Sequence, residues 1–157
     1  MLEAMDPREA GRDAMADLLR ELLEPRPEVL DAYLFGSTAR ARQQQRSDVD
    51  IAVYVDEGRC EEDGFGYHAE LTTALMSGLR TNAVDVVILN RAPPLLYHRV
   101  LRDGIRVLSR DLRATTVREG RALSRYCDFL PYLNKLDGTM RGSRPRGYHN
   151  DEPGTDR

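Results

Sequence analysis

Asp48 and Asp50 stand one residue apart in a stretch, Asp48 to Val55, where Val49, Ile51, Val53 and Val55 alternate with the other positions. Alternation of this kind is the signature of a strand with one buried face. Both acids therefore point to the same side, their Cα atoms about 6 to 7 Å apart from the strand rise. At an effective dielectric near 20, two unit charges at that separation repel by roughly 3 kcal/mol. Threonine would avoid this cost, and a divalent cation between the carboxylates would offset it, since magnesium takes hard oxygen ligands from one or two carboxylates and from substrate phosphates. The plainer reading is a pair of solvated acids at a strand start. Asp85 adds a third carboxylate as the lone charge in the apolar run Ala83 to Leu89, where burying it alone would be expensive. Either Asp85 lies at an exposed strand end or it joins the other two in a site able to hold two metals, as phosphoryl-transfer enzymes do.

Ten residues separate Asp48 from the dipeptide Gly36-Ser37, which follows an apolar run and precedes a helix-compatible segment. Such a turn can aim backbone N–H groups at an anion, and the serine hydroxyl adds a donor. A Gly-Ser dipeptide alone is usually just a turn; followed by Asp48-Val49-Asp50 at this spacing it becomes a candidate triphosphate loop. Arg40, Arg42 and Arg46 flank it, and guanidinium groups suit phosphate oxygens. Arg40, nearest the turn, is the preferred candidate, with surface solvation the bland alternative.

The elements that must position these residues are legible in outline. Asp6-Pro7-Arg8-Glu9 is a capping box, and the apolar positions Ala10, Ala14, Leu18 and Leu22 keep helical spacing until Pro25 and Pro27. Val29 to Phe35 reads as a strand, Thr38 to Gln43 as a brief helix or turn, Asp48 to Val55 as a strand, and 56–64 as a loop. A helix over about Phe65 to Leu79 and a strand over Ala83 to Leu89 follow. Pro93-Pro94 opens a helix to about Asp103, with Gly104 as a left-handed stop; Ile105 to Leu108 is a fourth strand, and a final helix follows Asp111. From Gly138 the chain loses periodicity, which predicts a disordered tail over 138–157 behind a domain spanning 1–135.

With 157 residues, 41% of them hydrophobic, the chain suits one ordinary domain with its own core. The net charge is −3 and the arginines are interspersed with acids, so nucleic acid is not an expected direct partner. No apolar run is long enough for a signal peptide or membrane span, and Cys60 and Cys127 are far apart without a CxxC pair; a cytoplasmic protein with two free thiols is the expectation. Tyr54 shares the acids' strand face and is either partly buried or set against a nucleotide base. His68 reads as a helix-surface residue. Arg91 and His98 have six residues between them, a spacing compatible with a ribonuclease arginine-histidine motif, but they lie amid prolines in a strand-containing chain and carry little weight.

The segment Leu34-Phe35-Gly36-Ser37-Thr38-Ala39-Arg40, ending in Ser47-Asp48-Val49-Asp50-Ile51, resembles the polymerase-beta-type nucleotidyltransferases, specifically the minimal nucleotidyltransferase (MNT) group, and Asp85 falls where that superfamily carries its third carboxylate. Ala41 departs from the glycine many relatives carry after the arginine, and Gln43-Gln44-Gln45 makes an unusually polar loop. The resemblance implies an α/β (α+β) fold with a mixed sheet of about four strands flanked by helices. It implies Asp48, Asp50 and Asp85 as catalytic, magnesium-binding residues, with Gly36, Ser37 and Arg40 binding ATP. It further implies an antitoxin that transfers AMP to a tyrosine of a HEPN ribonuclease toxin and forms a hetero-oligomer with it. A nucleotidyltransferase acting on a small hydroxyl compound such as an aminoglycoside, and an antitoxin acting by binding alone, are the competing expectations.

Overall fold

A computed structural model describes residues 7–36, 48–60 and 64–142. Within them the elements are α1 (Pro7–Leu23), β1 (Val29–Phe35), β2 (Val49–Val55), α2 (Gly64–Leu79), β3 (Val84–Ile88), α3 (Pro94–Asp103), β4 (Ile105–Ser109) and α4 (Leu112–Gly142), with single 3-10 turns at Glu57–Arg59 and Leu89–Arg91. The strands form one mixed sheet in the order β3-β2-β1-β4. β1 is antiparallel to both β2 and β4, and β2 is parallel to β3. This is the mixed four-stranded sheet with helices that the sequence predicts.

Alternation sorts the strand residues onto two faces. Val29, Leu34, Val49, Ile51, Val53, Val84, Val86 and Val107 pack with Leu19 and Leu23 of α1 and Leu71 and Leu75 of α2. Those four leucines are essentially inaccessible, and each contributes about 1.5 to 3 kcal/mol from removing its side chain from water. Tyr33, Phe35 and Ala52 form the opposite face, under Tyr97 and Val100 of α3 and Ala122 of α4. Asp50 is paired with Phe35 across β1 and β2, so the acids belong to this second face, beneath the α3–α4 layer. The far end of β2 is extended by a side chain: Asn90 accepts from the Val55 N–H at 2.9 Å and donates to the Val55 carbonyl at 2.8 Å.

Helix ends follow from identifiable groups. α1 stops before Pro25, and the carbonyls freed there are collected by Arg110, which donates to Leu23, Glu24, Arg26 and Val29. α2 ends in a Schellman motif, Thr81 N–H to the Met76 carbonyl and Arg80 N–H to that of Ser77, and the left-handed residue it needs is Arg80, at φ 54°. Glycine is the usual occupant because a side chain at positive φ is strained. Arg80→Gly is accordingly expected to stabilise the fold by roughly 0.5 to 1 kcal/mol, read as a higher melting temperature; an unchanged or lower value would contradict the assignment.

Gly104, expected as a left-handed stop, corrects the sequence reading. Its φ is −86°, and its small size serves a different end: a Cβ would come within 2.5 Å of the Val100 carbonyl and 3.1 Å of the Leu34 carbonyl. α3 is thereby seated directly on the end of β1. The final helix runs through Gly138 to Gly142 with Pro131 in its interior, beyond the point where the tail was expected to start. Asp6, the brief helix expected over 38–43 and residues 143–157 lie outside the described residues.

Each outer strand has a carbonyl occupied by a helix side chain. His68 of α2, half-buried, donates from Nε2 to the Val86 carbonyl of β3 at 2.7 Å, and Arg20 of α1 donates to the Val107 carbonyl of β4 at 3.0 Å. His68 thus has a packing role at the sheet margin in place of the helix-surface position read from sequence. Among the described residues, no helix is long and apolar enough to cross a membrane, and Cys60 and Cys127 are free thiols.

Candidate functional site

The end of the sheet where β1 finishes and β2 begins gathers the predicted acids. In the β2–β3 register Asp50 lies opposite Asp85, and in the β1–β2 register it lies opposite Phe35, the residue before Gly36. Asp48 precedes β2 and is exposed, Asp85 is exposed, and Asp50 is half-buried between them. Burial pushes the Asp50 carboxyl above the usual carboxylate range, and the negative charges of Asp85 and Asp48 push it further. The alternation rule put Asp48 and Asp50 on one side; the parallel pairing supplies the third acid.

Gly36 completes this corner. Its φ is +72°, and a Cβ there would overlap the Asp50 carboxylate, so both the backbone conformation and the contact require glycine. The turn and the central acid are therefore built against one another. Ser37 and Arg40 lie outside the described residues.

The donor set suits a hard divalent cation, being carboxylate oxygens whose mutual repulsion a positive ion would relieve. Repulsion also opposes their convergence, and as placed no three His, Cys, Asp or Glu side chains among the described residues close tightly enough to enclose a metal ion. Three acids and a glycine turn at one open sheet end make an arrangement able to accept a polyphosphate with its counter-ion.

The family described as polymerase beta, nucleotidyltransferase matches residues 18–113, a span holding the sheet, the glycine turn and all three acids. The chain belongs to that nucleotidyltransferase family. Over 77 residues, 49% of this chain and 77% of the other, it is 38% identical to a Methanocaldococcus jannaschii protein provisionally named as a protein adenylyltransferase. Among solved structures, this nucleotidyltransferase is similar to a chain of a toxin–antitoxin complex with AMP-PNP, with 26% identity, a TM-score of 0.66 and coverage of 80% of this chain and 98% of that one. It shares its fold with a chain of the tri-AMPylated Shewanella oneidensis HEPN toxin in complex with MNT antitoxin, at 24% identity, TM-score 0.58 and coverage of 85% and 98%.

Behind the three acids, the same sheet face holds a charged network that the sequence reading missed. Asp31 of β1 is fully buried; it accepts from Arg118 Nε at 2.7 Å and from the Thr115 hydroxyl. The Arg118 guanidinium lies 5.0 Å from the centre of the Tyr54 ring. Tyr33 donates to Glu119 at 2.7 Å, and Arg106 does so at 2.6 Å. Asp31 is the only charge within the strand Val29–Phe35, the same signal that singled out Asp85, and it could have been read the same way. Tyr97 is buried beside this network with its hydroxyl unpaired among the described residues, its pKa pushed up to about 12, chiefly by burial and then by Asp31. Tyr54 is thereby occupied by Arg118, and His98 is stacked on Tyr126 at 3.7 Å, a packing role in place of ribonuclease chemistry.

Proposed function

We propose that this chain is an antitoxin enzyme that transfers AMP from ATP to a tyrosine hydroxyl of a cognate HEPN toxin. The observation that carries the reading is the register that sets Asp85 opposite Asp50 beside Gly36, in a chain of nucleotidyltransferase family. It is supported by relatives associated with protein adenylylation, AMP-PNP and an AMPylated toxin.

In this reading Asp48, Asp50 and Asp85 would hold magnesium, which would supply charge neutralisation at the triphosphate. The Gly36 turn, with Ser37 and Arg40, binds the phosphates. The tyrosine oxygen attacks the α-phosphorus, the bond from that phosphorus to the pyrophosphate oxygen breaks, and pyrophosphate leaves with the electron pair. Asp85, exposed on the strand neighbouring Asp50, accepts the hydroxyl proton. Positioning and electrostatics account for the rate, since phosphoryl transfer asks little else of the protein.

Purified chain, labelled ATP and magnesium, mixed with the separately purified product of the adjoining gene, are expected to give labelled partner and free pyrophosphate, and chelation should stop both. An unlabelled partner in the presence of intact ATP and active controls would refute the reading. Neutralisation that persists without transfer would instead support binding alone.

A further inference from the structure

The α3–α4 layer that covers the acids' face is unlike the rest of the surface. Residues 91–125 contain nine arginines against Asp103, Asp111 and Glu119, a net of +6 in a chain whose total is −3, leaving −9 for the remainder. The sequence disperses these arginines among other residues; the fold places six of them on two neighbouring helices, Arg99 and Arg102 on α3 and Arg113, Arg118, Arg121 and Arg125 on α4. Five have structural partners: Arg91 with Glu57, Arg102 with Asp103, Arg106 with Glu119, Arg118 with Asp31, and Arg110 with the carbonyls after α1. Arg99, Arg113, Arg121 and Arg125 are exposed and make no ion pair among the described residues.

Apolar exposure is concentrated on the same helices. Of the large hydrophobic residues exposed among the described ones, only Leu18 lies elsewhere; Leu95 is on α3, and Leu112, Val117, Leu123, Tyr132 and Leu136 are on α4. Tyr132 and Leu136 are 64% and 60% exposed, and Tyr132 stacks on Phe129. Val117, Arg121, Arg125 and Tyr132 follow one flank of α4 at helical spacing, with Asp128 as the single acid among them, and Leu95 and Arg99 form a stripe on α3.

The direction of α4 leads this flank to the acids. Thr115 meets Asp31 and Glu119 meets Tyr33 two residues further along β1; Leu123 then lines one surface cavity together with Tyr33 and Gly104, and Gly104 abuts Phe35. At Leu123 the helix is level with the end of β1 where Gly36 and Asp50 stand. The remaining helix, to Gly142, continues for roughly 30 Å at 1.5 Å per residue.

We propose that the outer α3–α4 flank, centred on Arg99, Arg121 and Arg125 and continued by Tyr132 and Leu136, is the docking surface for an acidic-faced protein, the one whose hydroxyl receives the nucleotide. This rests on the toxin-modifying reading and adds to it the surface and the charge of its partner. Unpaired arginines select an acidic face by charge complementarity. Apolar side chains interleaved with arginine and an exposed tyrosine are the composition of a protein interface, whereas binding to a phosphate backbone needs the cations alone.

The test uses the full chain as Arg99→Glu/Arg121→Glu/Arg125→Glu and, separately, as Tyr132→Ser/Leu136→Ser, with the product of the adjoining gene as the probe. The triple variant is expected to bind it about a hundredfold more weakly than wild type, with a shallower salt dependence and unchanged affinity for magnesium-ATP; the double variant should also lose affinity, at all salt concentrations. Wild-type affinity in both variants overturns the surface while leaving AMP transfer standing. Wild type that neither binds nor labels the probe overturns the enzyme reading and the surface together. If the triple variant keeps the protein complex but loses binding to a mixed-sequence duplex oligonucleotide, or loses self-association seen for wild type, the flank serves nucleic acid or a second copy and the proposal fails.

Discussion

Asp50→Asn is expected to lower nucleotidyl transfer about a hundred- to a thousandfold, the scale seen when a single group that stabilises developing charge is removed, without lowering the melting temperature. Asparagine keeps the shape and one oxygen but not the charge. Asp50 lies opposite Asp85 and follows Asp48, and its carboxyl is pushed upward by burial and by both neighbours. A charge held against such neighbours does not stabilise the unliganded fold; it stabilises a bound cation and the phosphates with it. Activity and stability should therefore separate, with transfer lost and thermal stability equal or higher. Loss of both together would show that Asp50 is a structural residue, and retained transfer would remove it from the chemistry.

Asp31→Ala should produce the largest loss of stability, about 3 to 5 kcal/mol, as expected when one member of a buried ion pair is removed and the other is left uncompensated. Its side chain is fully inaccessible and that of Arg118 only 17% accessible. The Thr115 hydroxyl would lose one of its acceptors as well, keeping the Asp111 carbonyl. By contrast, Arg26 and Glu70 meet at 2.6 Å, but the glutamate side chain is 50% exposed, so screening leaves such a pair worth less than about 1 kcal/mol. Burial, more than distance, separates the two cases. Denaturant titration of Asp31→Ala and Glu70→Ala, side by side, measures the difference. Comparable losses would mean that the Asp31 pair is far better hydrated than its burial indicates.

The strands were readable because period-two alternation survives in β2 and β3, and apolar runs bounded by proline and glycine delimit β1. Asp48 and Asp50 could be placed on one side from spacing alone. That Asp85 lies opposite Asp50 could not, because a one-residue slip between parallel strands would turn it to the other face, and register is fixed only by packing α2 against the sheet. Gly104 and Arg80 show the limit of residue-type rules. Glycine after a helix suggests a left-handed stop, yet here its use is close approach to β1, while the left-handed position falls on an arginine whose conformation the Schellman bonds enforce. Asp31 and Arg118 are separated by 87 positions, and no local pattern links an acid inside a strand to a cation that distant. The basic flank was hidden for a similar reason, since interspersed arginines become a patch only when α3 and α4 lie side by side.

An outer strand ordinarily offers a template on which a segment of another molecule can lie down and lengthen the sheet. In this protein His68 and Arg20 sit at those margins, each holding a main-chain oxygen that an incoming strand would require. Growth sideways is obstructed on both flanks, which guards against stacking into fibres and turns recognition over to helical surfaces. Removing the imidazole should therefore expose the protein to concentration-dependent assembly.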